Sequence, residues 1–298
     1  MPLFRRTRPL NAGTLPDAQG RFPWFTWLGG RRLYNRVPYV LPKDMSEVNR
    51  LDFQHYLLRQ ALRGNYSAPI QAPQTILDVA TGTGRWTIEM AQVFPDARVY
   101  GVDLVVPEHA SLPANVSFQQ ANVLQELPFP SRSMSFVHQR LVYGAIPLSS
   151  WEPLIRDLAR VTAPGGWVEL VEGGLPQGEG GGMRTLVAWV QAMASKRGID
   201  LEIGPRLGTW MNLAGLQDVT TREIRVPLGP HGGRVGQLCA TDAFGVYEAL
   251  KAPVVAAGIA SAEDYDKAMD AWHFEVRNEQ QWWPVYLAYG QRPGSGAH

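Results

Sequence analysis

The chain has 298 residues, of which 45% are hydrophobic and 18% charged, and its formal net charge is +1. This is the composition of an ordinary globular protein, and it gives no bulk electrostatic reason to expect binding to nucleic acid or to an anionic membrane. The single cysteine, Cys239, excludes an internal disulfide framework and a thiolate metal cluster. Neither the first residues nor any later stretch has the apolar run of a signal peptide or a membrane span, so we expect a cytoplasmic protein.

The N-terminal region differs in composition from the rest of the chain. Residues 1–42 are rich in Pro, Gly and Arg, carry the aromatic stretch "FPWFTWLGG", and predict irregular structure. A helix is predicted from Met45 to about Leu62, because Leu51, His55 and Leu58 fall on one helical face. We therefore expect residues 1–65 to form an N-terminal arm and a helical cap that closes over the ligand cleft of a main domain at 66–298.

Strands and helices alternate through the middle of the chain. The predicted strands cover residues 76–80, 97–104, 115–120, 134–142 and 165–173, and the predicted helices cover 85–94 and 151–161. This alternation is typical of an α/β fold in which a parallel sheet has helices on both faces. Such a sheet binds its ligand at the carboxyl ends of the strands, at the topological switch point.

The C-terminal third is less regular. It predicts helices over 184–196 and 205–214, a strand over 219–229, and a helical insertion around 230–280 in which Ser261 caps the second helix. A last strand is predicted over 282–290, and the final strand pair is compatible with one antiparallel edge.

A glycine loop follows the first predicted strand of the sheet. The strand ends near Asp78, and the loop contains Gly82 and Gly84, but Thr87 stands where a dinucleotide fingerprint needs a third glycine. No Gly-Lys-Ser/Thr follows, so the loop is not a P-loop. Asp103 ends the second strand, about twenty residues on, where a carboxylate accepts the hydroxyls of a ribose. The pattern predicts an adenosine ligand without a pyrophosphate, such as S-adenosylmethionine; an NAD-dependent oxidoreductase is the disfavoured alternative.

Four segments, the first of which contains the glycine loop, carry a family resemblance. "LDVATGTG", "GVDL", "ELPFPSRSMSFVH" and "LARVTAPGGWVELVE" resemble the ordered motifs of class I S-adenosylmethionine-dependent methyltransferases. The flanking segments "YVLPKDMSEVNRLDFQHYLL", "FVHQRLVYGAI" and "YGQRP" are similar to the LaeA-like methyltransferases of fungal secondary metabolism. The resemblance runs from about Tyr39 to Pro293. Two positions depart from the pattern: Asn122 replaces an acid expected near the adenine, and Ser135 replaces an aspartate that usually precedes the apolar residues of the fourth strand.

The resemblance implies a Rossmann-like, mostly parallel, seven-stranded sheet and methyl transfer from S-adenosylmethionine to a small, rather apolar secondary metabolite. It leaves open whether the methylated atom is O, N, S or C. The alternative is a cofactor-binding regulator of secondary metabolism that acts through a protein partner. The oligomeric state is undetermined. The residues expected to bind the cofactor are Tyr39, Asp78, Ala80, Thr81, Gly82, Gly84, Asp103, Leu104, Asn122, Val123 and His138.

Two histidines are candidate catalytic residues. His138 lies at the carboxyl end of the fourth strand, where it would act as a base or a cofactor contact, or would simply order the strand end. His55 lies on a leucine-rich helical face, which favours a core residue, but the resemblance places it near the cofactor cleft. A base is needed only if the acceptor carries a proton of high pKa. No metal-ligand spacing is found, and no metal is expected.

A glycine-rich segment, "EGGLPQGEGGGM" (residues 172–183), follows the fifth strand. It should emerge on the ligand side of the sheet, and its glycines would allow the backbone mobility of a gate. The alternative interpretation is an ordinary surface connection.

Overall fold

The computed structural model describes the backbone of residues 25–28, 31–34 and 45–294, and side chains from residue 49 onward. The expected cofactor residue Tyr39 and most of the N-terminal arm lie outside the described residues. Two short strands within the arm, β1 (Phe25–Leu28) and β2 (Arg31–Tyr34), pair in antiparallel register, so the prediction of wholly irregular structure was wrong. The sequence Gly-Gly between them is typical of a two-residue hairpin connection.

The main sheet has seven long strands and a very short one. In chain order they are β3 (Thr75–Val79), β4 (Arg98–Asp103), β5 (Val116–Gln120), β6 (Met134–Arg140), β7 (Thr162–Gly173), β8 (Gln177–Gly178), β9 (Gln217–Leu228) and β10 (Gln281–Gln291). Their spatial order is β5-β4-β3-β6-β7-β10, with β9 on the far side of β10 and the two-residue β8 also paired to β10. The predicted Rossmann-like, mostly parallel sheet is confirmed.

Strand β10 is antiparallel to both β7 and β9, and it lies between them. Strands β9 and β10 thus form an antiparallel pair at this end of the sheet, as the sequence allowed, and β10 is the inner strand of the pair. The parallel part begins at β3, runs outward through β4 to β5, and then returns to β6 on the other side of β3. This reversal places the topological switch point between β3 and β6, where Asp78 and His138 are register partners.

Seven helices complete the described fold: α1 (Met45–Leu62), α2 (Arg85–Val93), α3 (Trp151–Val161), α4 (Gly181–Ser195), α5 (Leu207–Leu213), α6 (Gly233–Ala256) and α7 (Ala262–Asn278). Helices α1 and α3 have the predicted bounds. Helix α4 begins three residues before the predicted start at Arg184. Helices α6 and α7 occupy the predicted insertion between β9 and β10, whereas the domain division at residue 65 stays a prediction.

The buried apolar side chains form three clusters. Helix α2 packs Trp86 and Met90 against β3, β4 and β6, while α3 and α5 cover the other face of the same strands. The third cluster joins α1, α4, α6 and α7 to β7 and β10, with Trp272 fully buried in it. Burial of each large apolar side chain contributes about 1.5–3 kcal/mol, so each layer of helices has its own hydrophobic stabilisation.

The glycine-rich segment is closely packed in its second half. A Cβ at Gly182 would lie 2.6 Å from the carbonyl oxygen of Ala268 in α7. The Glu275 carboxylate accepts hydrogen bonds from the backbone N–H of Gly182 at 2.7 Å and of Met183 at 3.0 Å, which caps α4 and explains its early start. Close contact with α7, and not mobility, accounts for the glycine at position 182.

Candidate active site

The loop between β3 and α2 follows a backbone path that favours glycine. Gly82 and Gly84 have φ angles of +58° and +76°, and Ala80 adopts the same left-handed region at +57°. A Cβ at Gly84 would lie 2.5 Å from the Phe118 ring, so no larger residue fits there. A Cβ at Gly82 would have only Leu51 Cδ1 within 4 Å, at 3.9 Å. The loop therefore leaves an open cradle above Gly82, which a ligand can approach closely.

Asp78, at the end of β3, is a buried carboxylate held by hydroxyl groups. Its Oδ2 accepts hydrogen bonds from Thr81 Oγ1 at 2.6 Å and from Thr87 Oγ1 at 2.8 Å. Thr87 is fully buried, so the residue that replaces the third glycine of a dinucleotide loop has a structural task of its own. Asp78 Oδ1 lies 3.1 Å from His138 Nδ1. This network fixes the loop at the switch point.

Asp103, at the end of β4, anchors the same loop from the neighbouring strand. Its Oδ2 accepts a hydrogen bond from the Gly82 N–H at 2.9 Å, and its Oδ1 accepts one from the Val105 N–H at 3.3 Å. The ring of His109 stacks on Phe118, with Nε2 2.8 Å from the carbonyl oxygen of Thr83. Asp103 therefore meets the glycine loop at the carboxyl edge of the sheet.

The candidates Leu104, Asn122 and Val123 follow β4 and β5 at the same edge and are partly exposed. The Leu104 carbonyl oxygen accepts a hydrogen bond from Gln120 Nε2 at 2.8 Å. Asn122 Oδ1 accepts one from the Leu124 N–H at 3.0 Å, which holds its amide in a local turn. A carbonyl oxygen has two lone pairs, so one acceptor position of this amide remains for a ligand.

His138 lies beneath the loop and is almost fully buried. Its ring stacks face to face on Trp86, with 3.8 Å between the ring centroids and 5° between the planes. Burial lowers the pKa of His138, and its hydrogen bond to Asp78 opposes this shift. The imidazole is therefore neutral near pH 7, with one nitrogen directed at Asp78.

His55 of α1 is joined to β6 by a residue that the sequence reasoning left unassigned, Arg140. The guanidinium donates a hydrogen bond from Nη2 to His55 Nδ1 at 2.6 Å. A guanidinium only donates, so the proton of the neutral His55 is on Nε2. That nitrogen lies 3.1 Å from Glu89 Oε1, within ion-pair distance but without hydrogen-bond geometry. Burial, and then the nearby Arg140 charge, lower the pKa of His55. The segment "HQR" was the sequence feature that could have identified Arg140 as a site residue.

A cavity of about 120 Å³ adjoins the loop. Its wall is mainly apolar and comes from α1, α4, α6, the segments that follow β6 and β7, and Trp283 of β10. Leu51 of α1 lines this cavity and is also the side chain that lies above Gly82. The cavity and the glycine loop are therefore neighbours, with Leu51 between them.

Among the described residues, only Arg50 and Asp242 place charged side chains in the cavity wall, and these two form an ion pair. Arg50 Nη1 lies 2.8 Å from Asp242 Oδ1, and Gln54 Nε2 donates to Asp242 Oδ2 at 2.8 Å. Burial raises the pKa of the Cys239 thiol, which therefore stays protonated. The described residues contain no group of three His, Cys, Asp or Glu side chains placed to hold a metal ion, and none of their helices is long and apolar enough to cross a membrane.

A second buried carboxylate supports the cavity wall. Glu172 Oε2, at the end of β7, accepts hydrogen bonds from the N–H groups of Val142 at 2.9 Å and Tyr143 at 3.0 Å. Gln139 Nε2 lies 3.4 Å from the other carboxylate oxygen, and Gln139 Oε1 is buried with no partner among the described residues. Burial raises the pKa of Glu172 to about 8. Glu172 thus fixes the segment after β6, whose Tyr143 lines the cavity.

Comparisons with known proteins agree with this geometry. The family described as "Methyltransferase domain" matches residues 50–221. The chain is similar to methyltransferase str2 of Strobilurus tenacellus, with 33% identity over 65% of this chain and 73% of that protein. It is also similar to the secondary metabolism regulator LAE1 of Cochliobolus heterostrophus, with 33% identity over 47% of each chain.

Among solved structures, a methyltransferase in complex with the Haloferax volcanii Trm112 methyltransferase activator has the same fold. The TM-score is 0.51 at 16% identity, and the match covers 85% of this chain and 96% of that one. The family match extends over more than half of the chain and contains the glycine loop, Asp103 and His138. The chain therefore belongs to the methyltransferase domain family and is an S-adenosylmethionine-dependent methyltransferase.

Proposed function

We propose that the protein transfers a methyl group to a small, rather apolar secondary metabolite that binds in the cavity between α1, α4 and α6. One observation carries this proposal: Leu51 lines the cavity and also lies above Gly82 of the glycine loop. A molecule in the cavity would therefore be next to a cofactor bound at the loop. The similarity to the secondary metabolism regulator LAE1 supports the metabolic setting.

The residues at the carboxyl edge of the sheet fit S-adenosylmethionine. The cradle above Gly82 would accept the cofactor closely, Asp103 would hold the ribose hydroxyls, and Asp78 would lie near the ammonium group. Ala80, Thr81 and Gly84 would shape the loop, while Leu104, Asn122 and Val123 would surround the adenine. The cofactor, when bound, supplies an electrophilic methyl group on a sulfonium and a good leaving group.

The protein's own task is then to align the acceptor and to exclude water. Helix α1 is positioned to align the acceptor and to exclude water, because Leu51 covers the glycine loop and polar contacts hold α1 against α2. Arg85 Nε donates to Asp52 Oδ2 at 2.9 Å, and Arg59 Nη1 donates to Glu89 at 3.1 Å. The expected helical cap thus remains our proposal for α1, and the arm before residue 45 would extend it.

The two candidate histidines are best interpreted as cofactor-side residues. His138 would keep Asp78 in place through Nδ1 and would present a neutral ring near the reacting groups. The Nδ1 lone pair of His55 already accepts a hydrogen bond from Arg140, so His55 supports the orientation of Arg140 more readily than proton abstraction. A base role, if the acceptor needs one, therefore falls to His138.

The proposed activity is tested with purified full-length protein, S-adenosylmethionine and an organic extract of small metabolites. We expect S-adenosylhomocysteine to form only when the extract is present, and a methylated product to appear in its apolar fraction. No S-adenosylhomocysteine from any apolar fraction, with the cofactor shown to bind by calorimetry, would contradict the proposal.

A second candidate function is a cofactor-binding regulator that acts through a protein partner, which the similarity to LAE1 favours. The same assay separates the two functions. A regulator would bind S-adenosylmethionine and would produce no S-adenosylhomocysteine with small metabolites, whereas an enzyme would turn over.

A further inference from the structure

The cavity contains one polar group whose hydrogen bonding is incomplete. Tyr247 of α6 lines the cavity and is 4% exposed, and its hydroxyl has no hydrogen-bond partner among the described residues. A buried hydroxyl without a partner is costly, so such groups in a folded protein commonly mark a bound water or a ligand position. The described residues therefore leave this oxygen without a hydrogen-bond partner.

The position of Tyr247 is fixed from outside the cavity. Its backbone carbonyl oxygen accepts a hydrogen bond from the Tyr265 hydroxyl at 2.6 Å. Its ring packs edge to face on Trp272, with 4.9 Å between centroids and 76° between planes. Burial raises the pKa of Tyr247, so the phenol keeps its proton and can both donate and accept a hydrogen bond. A fixed, neutral hydroxyl in an apolar wall is well suited to orient one polar group of a ligand.

The charges of the cavity restrict the ligand further. Asp242 is already engaged by Arg50 and Gln54, so an ionised ligand would find no unengaged counter-charge among the described residues that line the cavity. Burial of an ionised group without such a partner is strongly unfavourable. The cavity therefore selects a neutral molecule.

We propose that Tyr247 determines acceptor specificity: its hydroxyl forms a hydrogen bond with a single neutral polar group, such as a hydroxyl or carbonyl, of an otherwise apolar acceptor. This inference rests on the proposed function, since it names the chemical class of the acceptor at that site.

The test compares benzene with phenol, two probes that differ by one hydroxyl, in equilibrium dialysis against full-length protein without cofactor. A cavity of comparable size in another protein binds benzene. We expect the ratio of phenol affinity to benzene affinity to be about tenfold higher in the wild-type protein than in Tyr247→Phe, because only the wild type supplies the hydrogen bond. Benzene should bind equally to both.

Two controls keep the result interpretable. Tyr66→Phe, which changes a tyrosine that does not line the cavity, should leave the affinity ratio unchanged. Tyr247→Phe removes a hydroxyl for which the described residues offer no partner, so its melting temperature should be at least that of the wild type. An equal affinity ratio in the wild type and Tyr247→Phe, or no binding of either probe, overturns the proposal. The probe-binding measurements are made without S-adenosylmethionine. Their outcome is therefore independent of whether the protein transfers a methyl group in the turnover assay.

Discussion

The two halves of the candidate site are built in opposite ways. At the cofactor edge, the unit formed by β3, the glycine loop and α2 is held by its own residues and by the end of β4: Thr81 and Thr87 donate to Asp78, and the Gly82 N–H donates to Asp103. The cavity is assembled from segments separated by nearly two hundred positions along the chain, as the Arg50–Asp242 pair illustrates, and the Tyr247 hydroxyl in its wall has no hydrogen-bond partner among the described residues. We infer from this contrast that contacts within the chain organise the cofactor half, and we propose that the acceptor half is completed by its ligand.

The largest expected effect comes from breaking the cofactor half at Asp103. Asp103→Ala should weaken S-adenosylmethionine binding by about 3–6 kcal/mol, a hundredfold or more, because both the proposed ribose contacts and the anchor of Gly82 are lost. Calorimetry on the folded variant measures this.

Asp103→Asn separates the contribution of the proposed ribose contacts from that of the hydrogen bond that anchors Gly82. Its amide oxygen can still accept from the Gly82 N–H, so we expect a smaller loss of affinity than in Asp103→Ala. Unchanged cofactor affinity in both folded variants would show that Asp103 does not hold the ribose.

This cofactor half was also the predictable one. Asp78, the glycines and Asp103 lie close together in sequence or at fixed spacing, so local patterns reveal them. The sequence also identified α1 and α3 to the residue, because their apolar periodicity is clear. It missed Arg140 as a partner of His55, and Tyr247 and Asp242 entirely, because their roles arise from contacts between distant segments. It did not predict that β10 lies between β7 and β9, since strand order depends on tertiary packing and not on local pattern.

The next largest effect concerns how the stability of the fold depends on pH through Glu172, which supports the cavity wall. Burial raises the pKa of Glu172 to about 8 in the folded protein, above its ordinary value of 4.5. The folded state therefore binds this proton more tightly than the unfolded state does. The resulting stability is fully present below about pH 4.5 and is lost as the pH rises through about 8.

Glu172→Gln should remove this loss of folding stability at rising pH, because the new side chain does not titrate. The new amide oxygen can accept from the N–H groups of Val142 and Tyr143, and its NH₂ can donate to the unpartnered Gln139 Oε1 after that amide flips. We expect denaturant unfolding to show about 2–4 kcal/mol less change between pH 5 and pH 8 than in the wild type. Glu152→Gln, at a partly exposed position, serves as the control, and an equally steep pH profile in Glu172→Gln would refute the assignment.

A smaller expected effect, on the stability of the fold, distinguishes a gate from a packing contact in the glycine-rich segment. Gly182→Ala should destabilise the fold by about 1–3 kcal/mol, since the new methyl group would lie 2.6 Å from the Ala268 carbonyl oxygen. At the neighbouring Gly181 a Cβ meets only Glu275 Oε1, at 3.9 Å, so Gly181→Ala should be neutral or slightly stabilising. Thermal unfolding measures both variants, and equal tolerance of the two substitutions would favour a loose, mobile segment.

The central claim, that the acceptor binds in the cavity beside the glycine loop, is tested most directly by filling that cavity. Gly144 lines it, and a Cβ there would meet no atom within 4 Å, so Gly144→Leu projects into free space without displacing the chain. Gly64→Leu is the matched control, because its Cβ makes an ordinary 3.6 Å contact outside the cavity. The measurement is the initial rate of S-adenosylhomocysteine formation with the active apolar fraction, alongside cofactor affinity. The account predicts that Gly144→Leu binds S-adenosylmethionine normally and loses turnover, while Gly64→Leu keeps both; wild-type turnover in folded Gly144→Leu would contradict it.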